Sequence, residues 1–433
     1  MSEAAQPRYQ VAVIGGGPAG LFAAIRYAER TSCSCKEPRI VVLERRTHPC
    51  RKLLVAGSGQ CNLTHSGPIE DFADHYGGGA KPGAAARFLK PSLLEFSNAE
   101  LLAWFRARGL DFEEEEGGKV FPVTRKASSV LDILVAEAKR LGVEIHGERR
   151  VVSLAAEAGG FIIRTSHESI TADSVLVATG GASYPVTGSS GDGYALAAEL
   201  GHAVVAPRAA LAPVYVAGFR LASVAGLSFT GAGLTVRRDG KKTSSNIGDI
   251  LITHRGVSGP LVLDASRGIR PGDKLEVRFT DIDLDAFRER FDELLAAAPR
   301  RFVKTVLAEC GLPRSLGELF CRLAGLTDSA IAADLKRSAR EMLCSLACAC
   351  PLDVAELGNL DEAMATAGGV DLAEVNAKTM ESRLVPGLFF AGEVLDVDGD
   401  TGGYNLQAAF STGALAAKAL ATKTLVASNM QAD

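Results

Sequence analysis

The chain has 433 residues, 47% hydrophobic and 23% charged, with a formal net charge of −4. That length supports two or three domains and a large core, and the charge leaves no footprint for nucleic acid. No apolar run approaches the ~18 residues of a membrane-spanning helix, and the opening MSEAAQPRYQ holds no apolar signal core, so a cytoplasmic protein with its nine cysteines reduced is expected.

The first predicted strand lies in residues 10–20, QVAVIGGGPAG, and a second, IVVLE, ends at Glu44. Gly15 permits a tight turn, Gly17 lets a pyrophosphate approach the backbone, and Gly20 lets helix and strand pack closely. Pro18 and Ala19 open the helix, whose N-terminal amides and partial positive charge suit phosphates. Glu44 is placed to accept hydrogen bonds from ribose hydroxyls, with Arg45 beside it. Trp104 reads as core and Glu113–Glu116 as a solvated run. Residues 130–141 have helical periodicity and stop at Gly142. Short strands follow around Val143–Ile145, Val151–Leu154 and Phe161–Thr165, with Val151 expected near an adenine. The strand Ser174–Ala178 runs into Ala178-Thr179-Gly180-Gly181, which brings Thr179 and Gly180 beneath the cofactor.

From about 203 to 280 short strands recur (APVYV, AGLTVRR, DILITH, KLEVRF) between glycines and prolines, as in a small barrel or sandwich. Arg237, Arg238, Lys241 and Lys242 mark a solvated hairpin tip. Helical text fills about 285 to 358. Cys344, Cys348 and Cys350 read there as buried small hydrophobes, and no metal site is expected. Near the end, PGLFFAGEVLDVDGDTGGYNLQ repeats the order strand, glycine, acid, glycines, helix. Gly392 and Glu393 would face the ribityl chain or the phosphates. Gly402-Gly403 would let backbone approach an isoalloxazine ring, and the helix start at Asn405 and Leu406 would point at flavin N1 and O2. The predicted fold is α/β: a three-layer Rossmann-type FAD-binding domain in two parts, 1–202 and 361–433. An insert at 203–360 separates them, a β-barrel over 203–283 followed by a helical part over 284–360.

Several of these segments resemble the BaiN/YhiN-like flavoproteins, also labelled aminoacetone-oxidase-family FAD-binding enzymes and NAD(P)/FAD-dependent oxidoreductases. The resemblance is carried by the glycine turn, RKLLVAGSGQCNLT at 51–64, TGSSGDGYALAAELGH at 187–202, GDILITHRGVSGP at 248–260 and residues 366–407. It implies an FAD domain interrupted by a barrel-plus-helical insert. It also implies an FAD-dependent oxidoreductase, with NAD(P)H-linked reduction of a conjugated double bond among the family's activities. This chain carries Ser58 and Gln60 where the family usually has glycine and arginine, so a phosphate contact there would fall to Arg51 or Lys52.

Three residues are candidates for chemistry. Cys61 sits in a glycine-flanked loop as a candidate redox thiol, but no C-x-x-C accompanies it, Cys33 and Cys35 are too close for a comfortable disulfide, and a packed loop cysteine is the favoured reading. Its neighbour Asn62 is assigned to cofactor or loop backbone. His254, at a strand end in the insert, has the chemistry to donate a proton near neutral pH, and equally the position to hydrogen-bond the glycine turn that follows it. Tyr404, between the glycines and the last helix, suits ring stacking, acid catalysis or plain packing. The expected partner is a small organic substrate, exchanging hydride with flavin N5. No second complete G-x-G-x-x-G turn is present, so NAD(P)H would bind transiently. A flavin oxidase using oxygen and a non-catalytic redox-sensing flavoprotein are the alternatives. No residue pattern sets an oligomeric state.

Overall fold

The structure is a computed structural model that describes residues 7–32, 39–81 and 83–430. Cys33 and Cys35 lie outside the described residues. The chain divides into two compact units, one formed by residues up to 210 together with 363 onward, the other by 211–362.

The first unit is built on a seven-stranded sheet. Strands Glu144–His146, Ile40–Leu43, Arg8–Ile14 and Ser169–Val177 lie side by side and parallel, and Leu388–Phe390 joins the end of Ser169–Val177, also in parallel. Gly160–Thr165 and Val151–Glu157 extend the sheet antiparallel. The central strands are apolar on both faces, as a covered parallel sheet requires, and every residue of Ile40–Leu43 is buried. Register positions the site. Ile14 lies opposite Leu43 on one side and Val177 on the other, and Val177 lies opposite Phe390. The residues that follow these four positions therefore emerge together at the carboxyl edge of the sheet, where open α/β sheets bind ligands.

Helices Pro18–Thr31 and Tyr404–Met430 pack closely. A Cβ on Gly413 would fall 2.5 Å from the Ala19 carbonyl oxygen. Phe22 meets Phe410 edge to face at 5.1 Å and Trp104 at 5.0 Å, so the single tryptophan is core.

The second unit contains a closed six-stranded barrel in the order Val214–Val216, Gly256–Ser258, Lys241–Ile252, Ser228–Arg238, Lys274–Arg278, Cys350–Leu357. Helices Leu284–Ala297, Val303–Glu309, Arg314–Leu323 and Arg337–Cys348 bury Phe287, Phe291 and Phe320 with the barrel's apolar residues. Two segments depart from the sequence reading. Val204–Ala210, assigned above to the barrel, pairs antiparallel with Ala365–Val370 inside the first unit. Cys350–Leu357, assigned to the helical part, is a strand that closes the barrel. Its Cys350, Leu352 and Val354 point inward at the two-residue period of a strand. Cys310, Cys321, Cys344, Cys348 and Cys350 are all buried and unpaired. Among the described residues no group of His, Cys, Asp or Glu is arranged to hold a metal ion, and no helix is long and apolar enough to cross a membrane.

Candidate functional site

At the carboxyl edge of the sheet a cleft with about 690 Å³ of empty space is lined by Gly15, Gly17, Pro18, Glu44, Arg45, Lys52, Val151 and Thr179. Arg51, Arg149 and Arg150 line it too, and of the acidic side chains only Glu44 and Asp192 do. That excess of cations suits a pyrophosphate.

The three glycines of the first turn are glycine for different reasons. Gly15 has φ +106°, and a Cβ there would stand 2.5 Å from the Ala178 oxygen. A Cβ on Gly20 would fall 2.1 Å from the Gly15 oxygen, so that position is set by helix–strand packing. Gly17 differs. Its φ of −73° and ψ of 178° suit any residue, and a Cβ would have only the Ala178 oxygen near it, at 4.0 Å. The protein itself leaves Gly17 room for a side chain. A pyrophosphate lying against the backbone, at the N-terminus of Pro18–Thr31 where no side chain caps the helix, accounts for that room. Gly180 (φ +74°) is likewise open, with Ser189 Oγ the nearest atom at 3.8 Å. The buried Thr179 Oγ1 has no hydrogen-bond partner in the protein. These features fit FAD.

Glu44 is held at the strand end by two backbone amides, Gly16 N–H at 2.9 Å and Arg46 N–H at 2.8 Å, and a carboxylate has lone pairs to spare for ribose hydroxyls. Beside it Asp192 accepts from Arg45 at 3.1 Å and from Arg150 Nε and Nη2 at 2.9 and 3.0 Å. Burial alone would raise the Asp192 carboxyl, but hydrogen bonds from Arg150 and Ser190, with the charges of Arg45 and Arg150, hold it below the usual range.

Lys52 donates to Glu393 at 2.8 Å and Ser183 at 2.7 Å, and Glu393 also accepts from the Thr366 amide at 2.8 Å. Thr366 Oγ1 in turn accepts from the amides of Ala182 and Ser183, both at 2.9 Å. Sequence reasoning singled out Lys52 and Glu393 but missed Ser183, in the loop after Ser169–Val177, Thr366, inside strand Ala365–Val370, and Asp192, at the start of helix Asp192–Glu199.

The remaining candidates lie around this core. Ala19 is buried, its Cβ 2.9 Å from where a Gly392 side chain would begin, so both serve the packing of the first and last helices. Asn62 Oδ1 accepts from the Val120 amide at 3.2 Å, a loop role. Gly403 has φ +99° and lies against the Thr64 backbone. The Asn405 side chain spends both its groups on Gly399, accepting from its N–H and donating to its carbonyl, each at 2.8 Å. Leu406 is half-buried in the first turn of the last helix. Gln407 N–H is bonded to the Gly403 carbonyl at 3.0 Å, so the amides of Asn405 and Leu406 precede the first intrahelical bond.

Cys61 is fully buried, and burial pushes its thiol up to about 12, which removes the thiolate a redox relay needs. Tyr404 is 4% exposed, stacked against two histidine rings. His254 is exposed after strand Lys241–Ile252 in the other unit and is not among the residues lining the cleft. Gln60 accepts from Arg125 at 3.4 Å, Arg51 lines the cleft, and Ser58 adopts φ +56°, a left-handed conformation that favours glycine. Ser58→Gly is therefore expected to stabilise the protein by about 0.5–1 kcal/mol, read as a higher midpoint in urea; a lower midpoint contradicts the strain.

The family described as HI0933-like protein Rossmann domain matches residues 9–419. The 3-dehydro-bile acid delta(4,6)-reductase of Clostridium scindens is 32% identical over 421 residues, covering 96% of this chain and 99% of that protein. The ribosomal RNA dihydrouridine synthase of Escherichia coli is 30% identical over 421 residues, covering 94% and 96%. In fold the chain is similar to 3-ketosteroid-delta4-(5alpha)-dehydrogenase from Rhodococcus jostii RHA1, with TM-score 0.50 and 18% identity across 97% of this chain and 98% of that one. With a Rossmann sheet whose carboxyl edge fits FAD and a match along nearly its whole length, the chain belongs to the HI0933-like Rossmann family of FAD-dependent oxidoreductases.

Proposed function

We propose that this protein is an FAD-dependent reductase of a carbon–carbon double bond conjugated to a carbonyl, acting on a small apolar substrate with NAD(P)H as the electron donor. The observation that carries the reading is the room left at Gly17, in the same unit as a second glycine turn, Gly402-Gly403, that opens the last helix. One end suits the pyrophosphate and the other the ring. Bound FAD supplies hydride chemistry at N5. The amides of Asn405 and Leu406 offer positive potential where a reduced ring carries negative charge. Lys52, neutralised by Glu393, keeps the middle of the site ordered.

The substrate class rests on what the two relatives' names share. A delta(4,6)-reductase of a 3-oxo steroid and a dihydrouridine synthase both saturate a double bond conjugated to a carbonyl. An RNA substrate is disfavoured by charge, since residues 211–362 hold twenty basic and twenty acidic side chains. At the hairpin tip, Arg237 and Arg238 are paired with Glu276 and Asp273. An apolar substrate is favoured by exposed Leu54, Val55, Tyr184 and Val186, on the two segments that the Lys52–Ser183 hydrogen bond ties together beside the cleft.

The test is anaerobic. The flavin is reduced with NADH or NADPH and then mixed with a 3-oxo-Δ4 steroid, a ribosomal RNA transcript or oxygen. Rapid reoxidation by the steroid is expected. Reoxidation by the transcript alone would move the substrate to RNA, and by oxygen alone would make the protein an oxidase. Glu44→Ala is expected to weaken FAD binding by about 1.5–3 kcal/mol, roughly 10- to 100-fold, through loss of charge-assisted hydrogen bonds. Equal affinity in a fluorescence titration removes Glu44 from the ribose.

A further inference from the structure

The chain between strand Ser169–Val177 and helix Asp192–Glu199 runs along the cleft almost without regular structure. Its one regular piece is the turn Pro185–Thr187, and Tyr184, Gly188 and Gly191 take φ of +56°, +112° and +76°. Thr187, Gly188, Ser189 and Ser190 line the cleft, as does Asp192. Between residues 184 and 190 only Ser189 is buried, so apolar packing does not hold this stretch in place. Cationic side chains from elsewhere in the chain do. Lys52 donates to Ser183 at 2.7 Å, and Arg46 donates to the Val186 carbonyl at 3.4 Å. Arg45 donates to Ser190 Oγ and, at 3.1 Å, to Asp192 Oδ2. Arg150 donates through Nε and Nη2 to the two Asp192 oxygens at 2.9 and 3.0 Å. Arg45 follows strand Ile40–Leu43 and Arg150 precedes Val151–Glu157, strands that are not neighbours in the sheet, so one carboxylate joins three separate segments. Arg45, Arg150, Ser190 and Asp192 all line the cleft, which puts these ties at its margin. The paired guanidinium–carboxylate geometry of Arg150 makes its tie the strongest of them. A segment fixed by a few polar ties and little apolar burial belongs to the part of a fold that opens locally.

We propose that residues 184–192 form a strap that lifts for FAD to enter or leave the cleft, with Asp192 as its latch, an inference that rests on FAD occupying the cleft and not on the substrate proposed above. Asp192 is a positioning residue. It acts through Arg45 and Arg150 and through the segment that it ends. Breaking the latch lowers the barrier to opening whether the cleft is empty or filled. Uptake and release of FAD therefore quicken together, and their ratio, the affinity, moves little. A side chain that only touched FAD would behave otherwise. Its loss would quicken release and leave uptake as it was.

The test uses the full-length protein with and without FAD. Uptake is read as quenching of FAD fluorescence on mixing with FAD-free protein, and release as loss of tritiated FAD into an excess of unlabelled FAD. Asp192→Asn is expected to raise both rates about tenfold and to change the affinity less than about threefold, and Asp192→Glu to restore most of the slow exchange. In the FAD-free protein, chymotrypsin should cut after the exposed Tyr184 at least about threefold faster in Asp192→Asn than in the parent, and bound FAD should suppress the cut in both. Faster release with parental uptake overturns the latch and makes Asp192 an FAD contact. Parental rates in both directions overturn the strap. If Asp192→Asn fails to fold, Arg150→Met decides, since it keeps the Arg45 pair. A rise of about threefold in both rates is then expected, and parental rates overturn the proposal. A parent that takes up no FAD overturns the cofactor site, and the inference with it.

Discussion

Gly17→Ala is expected to fold as the parent does and to lose FAD. The new methyl would have only the Ala178 oxygen near it, at 4.0 Å, and the backbone there, φ −73° and ψ 178°, already suits alanine. Stability should change by less than about 1 kcal/mol, the modest difference between glycine and alanine at a helix N-cap. The methyl would instead stand where a pyrophosphate meets the helix N-terminus. Lifting the phosphates away lengthens several charge-assisted hydrogen bonds at once, each worth about 1.5–3 kcal/mol, so FAD affinity should fall by at least about 100-fold. Gly20→Ala is the control with the opposite signature. Its Cβ would fall 2.1 Å from the Gly15 carbonyl oxygen, a main-chain atom that cannot turn aside. The sheet and first helix must separate, at a cost of about 1–3 kcal/mol or more. Thermal melts of the FAD-free proteins and fluorescence titrations with FAD separate the two cases. Parental affinity in Gly17→Ala would place the pyrophosphate elsewhere.

The cleft was legible in the sequence where a residue's role follows from its own neighbours. Gly15, Glu44 and Thr179 each follow an apolar run, and parallel register carries the ends of those runs, Ile14, Leu43 and Val177, to one edge. Local text failed where a role depends on which distant segment arrives beside it. Nothing near Ser183 or Thr366 announces that both will meet a carboxylate at position 393; chain reversals and the pairing of Val204–Ala210 with Ala365–Val370 decide that. For Cys61 the packed reading is the one that holds, the segment turning inward at φ +62° and burying the thiol. Cys350–Leu357 follows a run of helices with a single alanine between, and its two-residue alternation is the one local sign of the change.

Glu393→Ala is expected to damage fold and cofactor site together, which distinguishes it from Gly17→Ala. Its carboxylate is the meeting point of Lys52, Ser183 and the Thr366 amide, and the ion pair is only partly exposed, 27% for the lysine side chain and 19% for the glutamate. Removing it leaves a half-buried ammonium and a backbone N–H without their acceptor. Each loss costs more than the intact pair contributes, because water only partly replaces the partner. A destabilisation of about 2–4 kcal/mol is expected, with FAD retained less well because Lys52 lines the cleft. Glu393→Gln keeps an oxygen for the Thr366 amide and should cost about half as much. Lys52→Met leaves Glu393 its neutral partners, Ser183 and the amide, and should cost less than Glu393→Ala. Combining Lys52→Met with Glu393→Gln removes both charges, so the double variant should be more stable than the sum of the single losses predicts, by about 1 kcal/mol or more. Urea titrations of the four proteins measure that coupling. Strict additivity would mean that lysine and glutamate act independently, and the segments around positions 52, 183 and 366 would then have to be held at the cleft by packing alone.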